Sequence, residues 1–289
     1  MSTSTTGENR SQLGYVWYQL KQSPLLIVGI VIVTLILAMA LLAPWLAHYD
    51  PYQVDLKSRL LPPNWQHWAG TDEVGRDLLS RILFGTRASL MVAFGLVSIA
   101  LVFGTILGAL SALLGGKFDL ITMRLVEVVM AMPGLVVALA LTAALGPSLF
   151  NMSIALGCLG IPYYARLSRS QALSLAQRQY VAAARTMGAS TYYILRRHML
   201  KNLLSYILVY ASMHLSGAIL AGSALSFIGL GAQPPTAELG ALINTGRGYI
   251  IEAWWYPVFP GVVLVLASLS FNLLGDGLRD LFDPKATKR

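Results

Sequence analysis

The chain has 289 residues, of which 56% are hydrophobic and 12% charged, with a formal net charge of +8. Soluble globular domains carry about 25% charged residues, so this composition excludes an ordinary soluble domain and indicates a polytopic, all-α membrane protein. Arg166, Arg169, Arg178, Arg185, Arg196, Arg197 and Lys201 all fall between residues 163 and 202, where no acid occurs, so the excess charge marks a cytoplasmic loop and excludes nucleic-acid binding.

The first 23 residues are polar, with a Ser/Thr-rich start expected to be disordered. They lead into an apolar run of full spanning length with no small-residue cleavage site, which reads as a retained helix and not a cleaved signal. A membrane span needs about 20 apolar residues. Six spans are expected, at about 24–43, 88–116, 120–145, 149–171, 202–222 and 253–275. Pro24 and Pro44 bracket the first, a "KFD" turn at 117–119 separates the second from the third, and "LGPSLFN" at 145–151 breaks a run too long for one helix. Arg124 and Glu127, three apart at the start of the third span, neutralise each other. Six spans put both termini on one side, together with the basic 172–202 loop, as the positive-inside rule requires.

Outside the spans, "GTDEVGRDLLSRILFGTR" (70–87) reads as an amphipathic helix on the outer interface. Thr71 is its expected cap, with Asp72 and Glu73 at the positive end of the dipole. Leu78, Leu79, Ile82 and Leu83 form its apolar face, and Arg76, Asp77 and Arg81 its polar face. The 223–252 loop is rich in Gly and Pro and should be an irregular flap with a short helix near Ala237–Asn244, while Trp254 and Trp255 suit the headgroup belt. Within the spans, Gly104 and Gly108 lie four apart and allow close helix packing. Pro133 sits mid-span, where it frees a backbone carbonyl and kinks the helix, a candidate gate. Asn272 and Asp276 are expected to close the sixth span.

Catalytic, metal and cofactor motifs are absent from the sequence. His48, His67, His198 and His214 are scattered, no HExxH, CxxC or phosphate-binding glycine loop occurs, and Cys158 reads as a small core residue. Acids are almost absent from the spans, with Glu127 the single one and paired with Arg124 near an interface, which counts against the alternative of an ion-coupled secondary carrier working alone. A membrane-bound enzyme or scaffold would need an acid/base or metal pair, and none is visible. Energy for any transport is therefore expected from another subunit.

That expectation gives meaning to "YVAAARTMGASTYYILRRHMLKN" (180–202). Ala182, Ala183 and Ala184 are strong helix formers, Gly188 is a natural left-handed stop, and Ser190 can cap the next helix, which carries Ile194, Leu195, Met199 and Leu200 back towards the fifth span. A short helix with a small alanine face, lying along the membrane plane, is a surface against which a cytoplasmic partner can push. On the residues alone, a plain surface hairpin would look the same.

This loop resembles the EAA loop of permease subunits of ATP-binding-cassette (ABC) importers, with Ala182-Ala183-Ala184 in place of EAA, Gly188 at the motif glycine, and "RHMLKN" where "RHILPN" is common. Ala182 replaces the motif glutamate and Lys201 the motif proline. "HWAGTDEVGRDLLSRILFGTRASL" (67–90), "ALSFIGLGAQPPTAELGALI" (224–243) and "FPGVVLVLASLSFNLLGDGLRDLFDPK" (259–285) resemble the C-type permeases of the dipeptide/oligopeptide/nickel importer family, as do "SPLLIVGIVIV" and "APWLAHYDP" around the first span. The likeness covers nearly the whole chain and leans towards the D,D-dipeptide branch.

The resemblance implies a type I ABC importer permease fold in the bacterial inner membrane, with both termini cytoplasmic. Residues 1–23 would be a cytoplasmic tail, 24–46 the first transmembrane helix, 47–87 a periplasmic segment, 88–276 the permease core with its coupling loop (172–202) and periplasmic loop (223–252), and 277–289 a second tail. It further implies a B-type permease partner, two ABC ATPase subunits that hold the ATP and Mg, and a periplasmic substrate-binding protein, all working within membrane lipid. The chain itself would catalyse nothing and bind no cofactor. Tyr180, Ala182, Ala183, Ala184, Arg185, Met187 and Gly188 would form the ATPase-docking element. Dipeptides are the implied cargo, D,D-dipeptides among them, with oligopeptides, glutathione, opines and nickel chelates as alternatives.

Overall fold

A computed structural model describes residues 24–282, without the side chains of Arg185, His198, Leu281 and Phe282. The two tails, 1–23 and most of 277–289, lie outside the described residues.

The described chain is helical, apart from turns and one isolated bridge between Thr71 and Asp77. Its helices are α1 (Pro24–Leu41), α2 (Ala43–Leu46), α3 (Leu78–Leu114), α4 (Gly116–Ala131), α5 (Gly134–Leu145), α6 (Leu149–Ala176), α7 (Gln179–Thr186), α8 (Thr191–Ile194), α9 (Leu200–Phe227), α10 (Leu239–Gly246) and α11 (Trp255–Phe282). A π-turn, Leu195–Met199, joins α8 to α9.

Four of these, α1, α3, α9 and α11, are long and apolar enough to cross a membrane, and α4 with α5 makes a fifth if that bent pair is one span. The remaining expected span, the fourth (149–171), falls in α6, which is 28 residues long but does not reach the same apolarity.

The centre of the bundle is the α3–α6 pair, which makes the most extensive helix–helix contact. Small residues let the two backbones meet. A Cβ on Gly108 would lie 2.1 Å from both the Ala165 carbonyl oxygen and the Ser168 hydroxyl, and one on Gly104 would lie 2.5 Å from the Tyr164 Cβ. Gly160 of α6 returns the fit against Ala100 of α3. Close backbone approach through small residues is how helices associate where lipid removes the hydrophobic drive. At the far end of the seam, Arg169 of α6 grips Asp119 of α4 in a bidentate pair (2.5 and 2.6 Å), and Asp119 also accepts from the Ser111 hydroxyl of α3. The α9 helix runs antiparallel to α11, joined by Ser216–Ser268 (2.9 Å), and α11 packs on α1. A separate small core around Leu78, Ile82, Leu239, Leu242 and Tyr256 closes the opposite end of the bundle.

Several expectations are corrected. No separate amphipathic helix covers 70–87. Gly70 and Gly75 have φ of +77° and +80°, the chain from 70 to 77 is a tight loop, and Thr71 is fully buried instead of capping a helix. The cap is Asp77, whose carboxylate accepts from Ser80 N (2.8 Å), and α3 then runs unbroken through the second span. The supposed polar face is buried because it pairs internally: Arg76 Nε and Arg81 Nε lie 2.5 and 3.2 Å from Asp72 Oδ2.

The "KFD" turn belongs to α4, and the chain reverses instead at Gly115 and Gly116. Pro133 breaks its span rather than kinking it. Residues before proline avoid the helical region; Met132 (ψ 144°) and Pro133 (ψ 107°) are both extended, and α4 and α5 meet at 94°. Asn272 and Asp276 lie inside α11, which continues to Phe282. Trp255 is 7% exposed, so only Trp254 (52%) suits the headgroup belt, and Cys158 is exposed rather than a core residue.

Candidate functional site: the exposed loop helix and the capped end

The 172–202 loop leaves α6 at Ala176 and enters α7 only two residues later. Val181 (0% exposed) and Ala184 (5%) face the bundle, one turn apart. Tyr180, Ala182, Ala183 and Met187 face outwards, Met187 being 81% exposed.

The helix ends in a Schellman motif: Ala189 N donates to Ala184 O (3.0 Å), with Gly188 between them at φ +78°. Ser190 then caps α8, its hydroxyl accepting from Tyr193 N (3.2 Å). Asn202 at the start of α9 donates to the Tyr180 hydroxyl (3.2 Å), which ties the two arms of the loop together. Tyr180, Ala182, Ala183, Met187 and Gly188 thus share one exposed knob. Ala184 does not belong to its outer face, and the Arg185 side chain lies outside the described structure.

At the other end of the bundle, α10 is pinned by a buried acid. Glu238 is 1% exposed and caps α10, one oxygen accepting from Ala241 N (3.0 Å). Its other oxygen accepts from the hydroxyls of Ser89 on α3 (2.6 Å) and Ser223 on α9 (3.0 Å). Beside it, Arg81 Nη1 donates to Pro51 O (3.0 Å), and the Tyr256 hydroxyl of α11 donates to Glu73. Three long helices and the two loops at this end of the bundle therefore meet in one polar clasp. In the exposed turn nearby, the Ser58 hydroxyl and the Lys57 amide hold the Asp55 carboxyl below the usual carboxylate range.

Among the described residues, two hollows bear on the path through the bundle. One, of ≈ 200 Å³, sits beside the Met132–Gly134 break and is bordered by Tyr163, His214 and Gly217. The other, of ≈ 630 Å³, opens between the first half of α3, the start of α6 and Thr236–Ala237. Its lining is apolar except for Tyr52, Arg87, Ser153 and Thr236. Among the described residues no group of His, Cys, Asp or Glu is arranged to hold a metal.

Residues 100–288 match the family model described as the binding-protein-dependent transport system inner membrane component. The chain belongs to that family. Residues 11–63 of this permease also match the N-terminal transmembrane domain of oligopeptide transport permease C. It is 50% identical to the probable D,D-dipeptide transport system permease protein DdpC of Escherichia coli (strain K12), over 94% of this chain and 91% of that protein. It is 42% identical to the dipeptide transport system permease protein DppC of the same strain (93% and 92% covered) and 37% identical to DppC of Haemophilus influenzae (98% of each).

Of the candidates read from the sequence, Tyr180, Ala182, Ala183, Met187 and Gly188 come together in this permease, Ala184 faces inwards, and the Arg185 side chain lies outside the described structure. Gly104 and Gly108 serve packing, and Pro133 sits at a true helix break. Sequence reasoning missed Glu238, whose only signal was an acid directly before a short apolar helix, and Arg87, a cation with no acid at helical spacing. Replacing Glu238 with Ala leaves buried Ser89 and Ser223 hydroxyls and the Ala241 amide without their acceptor, at about 1–3 kcal/mol for each group left unsatisfied. The expected result is a thermal unfolding midpoint several degrees lower in detergent, with Glu238→Gln, which keeps an acceptor oxygen, falling between the two.

Proposed function

We propose that this chain is the C-type permease of an ATP-driven importer of dipeptides, with D,D-dipeptides the first cargo to test. The observation that carries the reading is the exposed α7–Gly188–α8 knob in a chain of this family. It hangs from the end of α6, one of the two central helices, and it presents a small, stiff, well-terminated face. In this reading two cytoplasmic ATPases, which hold the ATP and Mg, seat beneath the knob of each permease. A B-type permease encloses the other half of the path, and a substrate-binding protein delivers cargo to the end capped by α10.

Counting α1, α3, the α4–α5 pair, α6, α9 and α11 as crossings gives six, with both ends of the described chain on the α7 side, the cytoplasm of a bacterial inner membrane. The partial charge pairing inside the loops at the α10 end, against the uncompensated cations around α7, supports that orientation. Cargo class rests on the relatives, whose names specify dipeptides or D,D-dipeptides.

The test is to co-purify the chain with its partner permease and ATPases, reconstitute them in liposomes, and measure ATP hydrolysis and uptake with the binding protein and a dipeptide. Hydrolysis stimulated by dipeptide-loaded binding protein and accompanied by uptake is the expected result. Uptake by the lone chain without ATP would sink the proposal, and uptake only of oligopeptides, glutathione or a nickel chelate would replace the cargo.

A further inference from the structure

We propose that the cleft around Arg87 receives the carboxylate of the cargo on its way from the capped end into the membrane; this rests on the dipeptide-importer reading above. Arg87 is one of five basic residues in or beside the outer segment; Lys57 and Arg59 are exposed, and Arg87 differs from the other two. Arg76 and Arg81 are committed to Asp72, and Arg76 also to Glu73. Arg87 has no hydrogen-bond or ion-pair partner among the described residues.

The nearest acid in the capping element, Glu238, spends its oxygens on Ser89, Ser223 and Ala241 N. Asp77 is likewise taken, by His67 and Ser80. Arg87 as a residue is half-buried and borders a cleft of ≈ 630 Å³, inside the range of about 300–1,000 Å³ typical of small-molecule sites. A cation bordering an apolar cleft and lacking an anionic partner is a natural seat for an anion. The planar guanidinium fork suits a carboxylate, which it can hold with two parallel hydrogen bonds.

The rest of the lining fits the rest of a small peptide. Phe84, Met91, Ile99, Phe150 and Ile154 offer apolar contact for side chains. Ser153 and Thr236 offer hydroxyls, although Ser153 already donates to Leu149 O (2.9 Å) and so can only accept. Thr236 and Ala237 form one wall and directly precede Glu238. Movement of α10 therefore changes the cleft, which places carboxylate recognition next to the element that closes the bundle.

The experiment reads occupancy of the cleft directly, in the assembled importer without binding protein. Met91 lines the cleft and is 58% exposed, so Met91→Cys in a Cys158→Ser background gives one reporter thiol there. Its alkylation by a neutral maleimide is timed with alanyl-alanine or with alanyl-alanine amide at up to roughly 100 mM, a range that reveals even millimolar-affinity binding. Alanyl-alanine should slow alkylation at least about threefold, the amide should not, and Arg87→Gln should abolish the protection while Arg87→Lys keeps part of it.

Equal protection by acid and amide, or protection that survives Arg87→Gln, overturns the proposal. So does an absence of protection in an importer that takes up alanyl-alanine normally. Loss of the partner permease on purification of Arg87→Gln also overturns it, because Arg87 would then serve the subunit contact. If the unaltered importer takes up no dipeptide at all, the dipeptide reading itself has failed.

Discussion

Gly188→Pro leaves the protein inserted and assembled in the membrane but stops uptake, while Gly188→Ala only weakens it. Gly188 sits at φ +78°, where proline, locked near −65°, cannot go. Alanine can occupy that region at a cost of about 1–2 kcal/mol. A Cβ there meets nothing within 4 Å, so the effect is purely one of backbone direction.

Proline therefore dismantles the Schellman bond from Ala189 N to Ala184 O and re-aims α8, while the buried anchors Val181 and Ile194 still hold the flanks to the bundle. A loss of at least about 1.4 kcal/mol in productive docking is a tenfold loss of uptake. The measurement is uptake and ATPase rate in reconstituted importers, with membrane insertion checked separately. Normal uptake by Gly188→Pro would remove the knob from any coupling role.

Gly108→Ala is expected to damage the α3–α6 seam strongly. The added carbon would sit 2.1 Å from a backbone carbonyl and from the Ser168 hydroxyl, so α3 and α6 must part. Overpacking of well-fitted interiors costs about 1–3 kcal/mol, and contact with backbone leaves little room for relief.

Gly217→Ala is the control: it lies in α9 with nothing within 4 Å of its Cβ, and alanine is the better helix former by about 1 kcal/mol. Thermal unfolding in detergent should show Gly108→Ala markedly destabilised and Gly217→Ala neutral or slightly stabilised. Equal midpoints for the two would show that the α3–α6 seam is not what holds the bundle.

The helices were legible where one residue type decides them. Long uncharged runs marked α1, α3, α9 and α11. Three alanines followed by a glycine marked α7 and its stop, because propensity and the left-handed cap are local properties. What failed depended on partners distant in sequence. The outer segment looked amphipathic because Arg76, Asp77 and Arg81 are charged, yet Arg76 and Arg81 converge on Asp72 and are buried.

Glu238 could not be read as a clasp because its partners, Ser89 and Ser223, lie 149 and 15 residues away. Pro133 was read as a kink, but whether a proline bends or severs a helix depends on whether neighbours hold the two halves in line, and here α4 and α5 diverge by 94°. Ala184 was assigned to the outer face because three like residues in a row do not reveal which one points inwards.

The unbroken length of α3 has a mechanical consequence. Its 37 residues make a rod of about 55 Å, nearly twice the hydrocarbon thickness of about 30 Å. About a third of the way along it is strapped by Ser89 to Glu238; near the far tip, Ser111 and the glycine seam lash it to α4 and α6, and α6 runs almost directly into α7. A rod so fastened acts as a crank: a rocking of only about 5° displaces its far tip by roughly 5 Å, about one helical turn. A small stroke at one face of the membrane is thereby delivered at the other without any intervening hinge to absorb it.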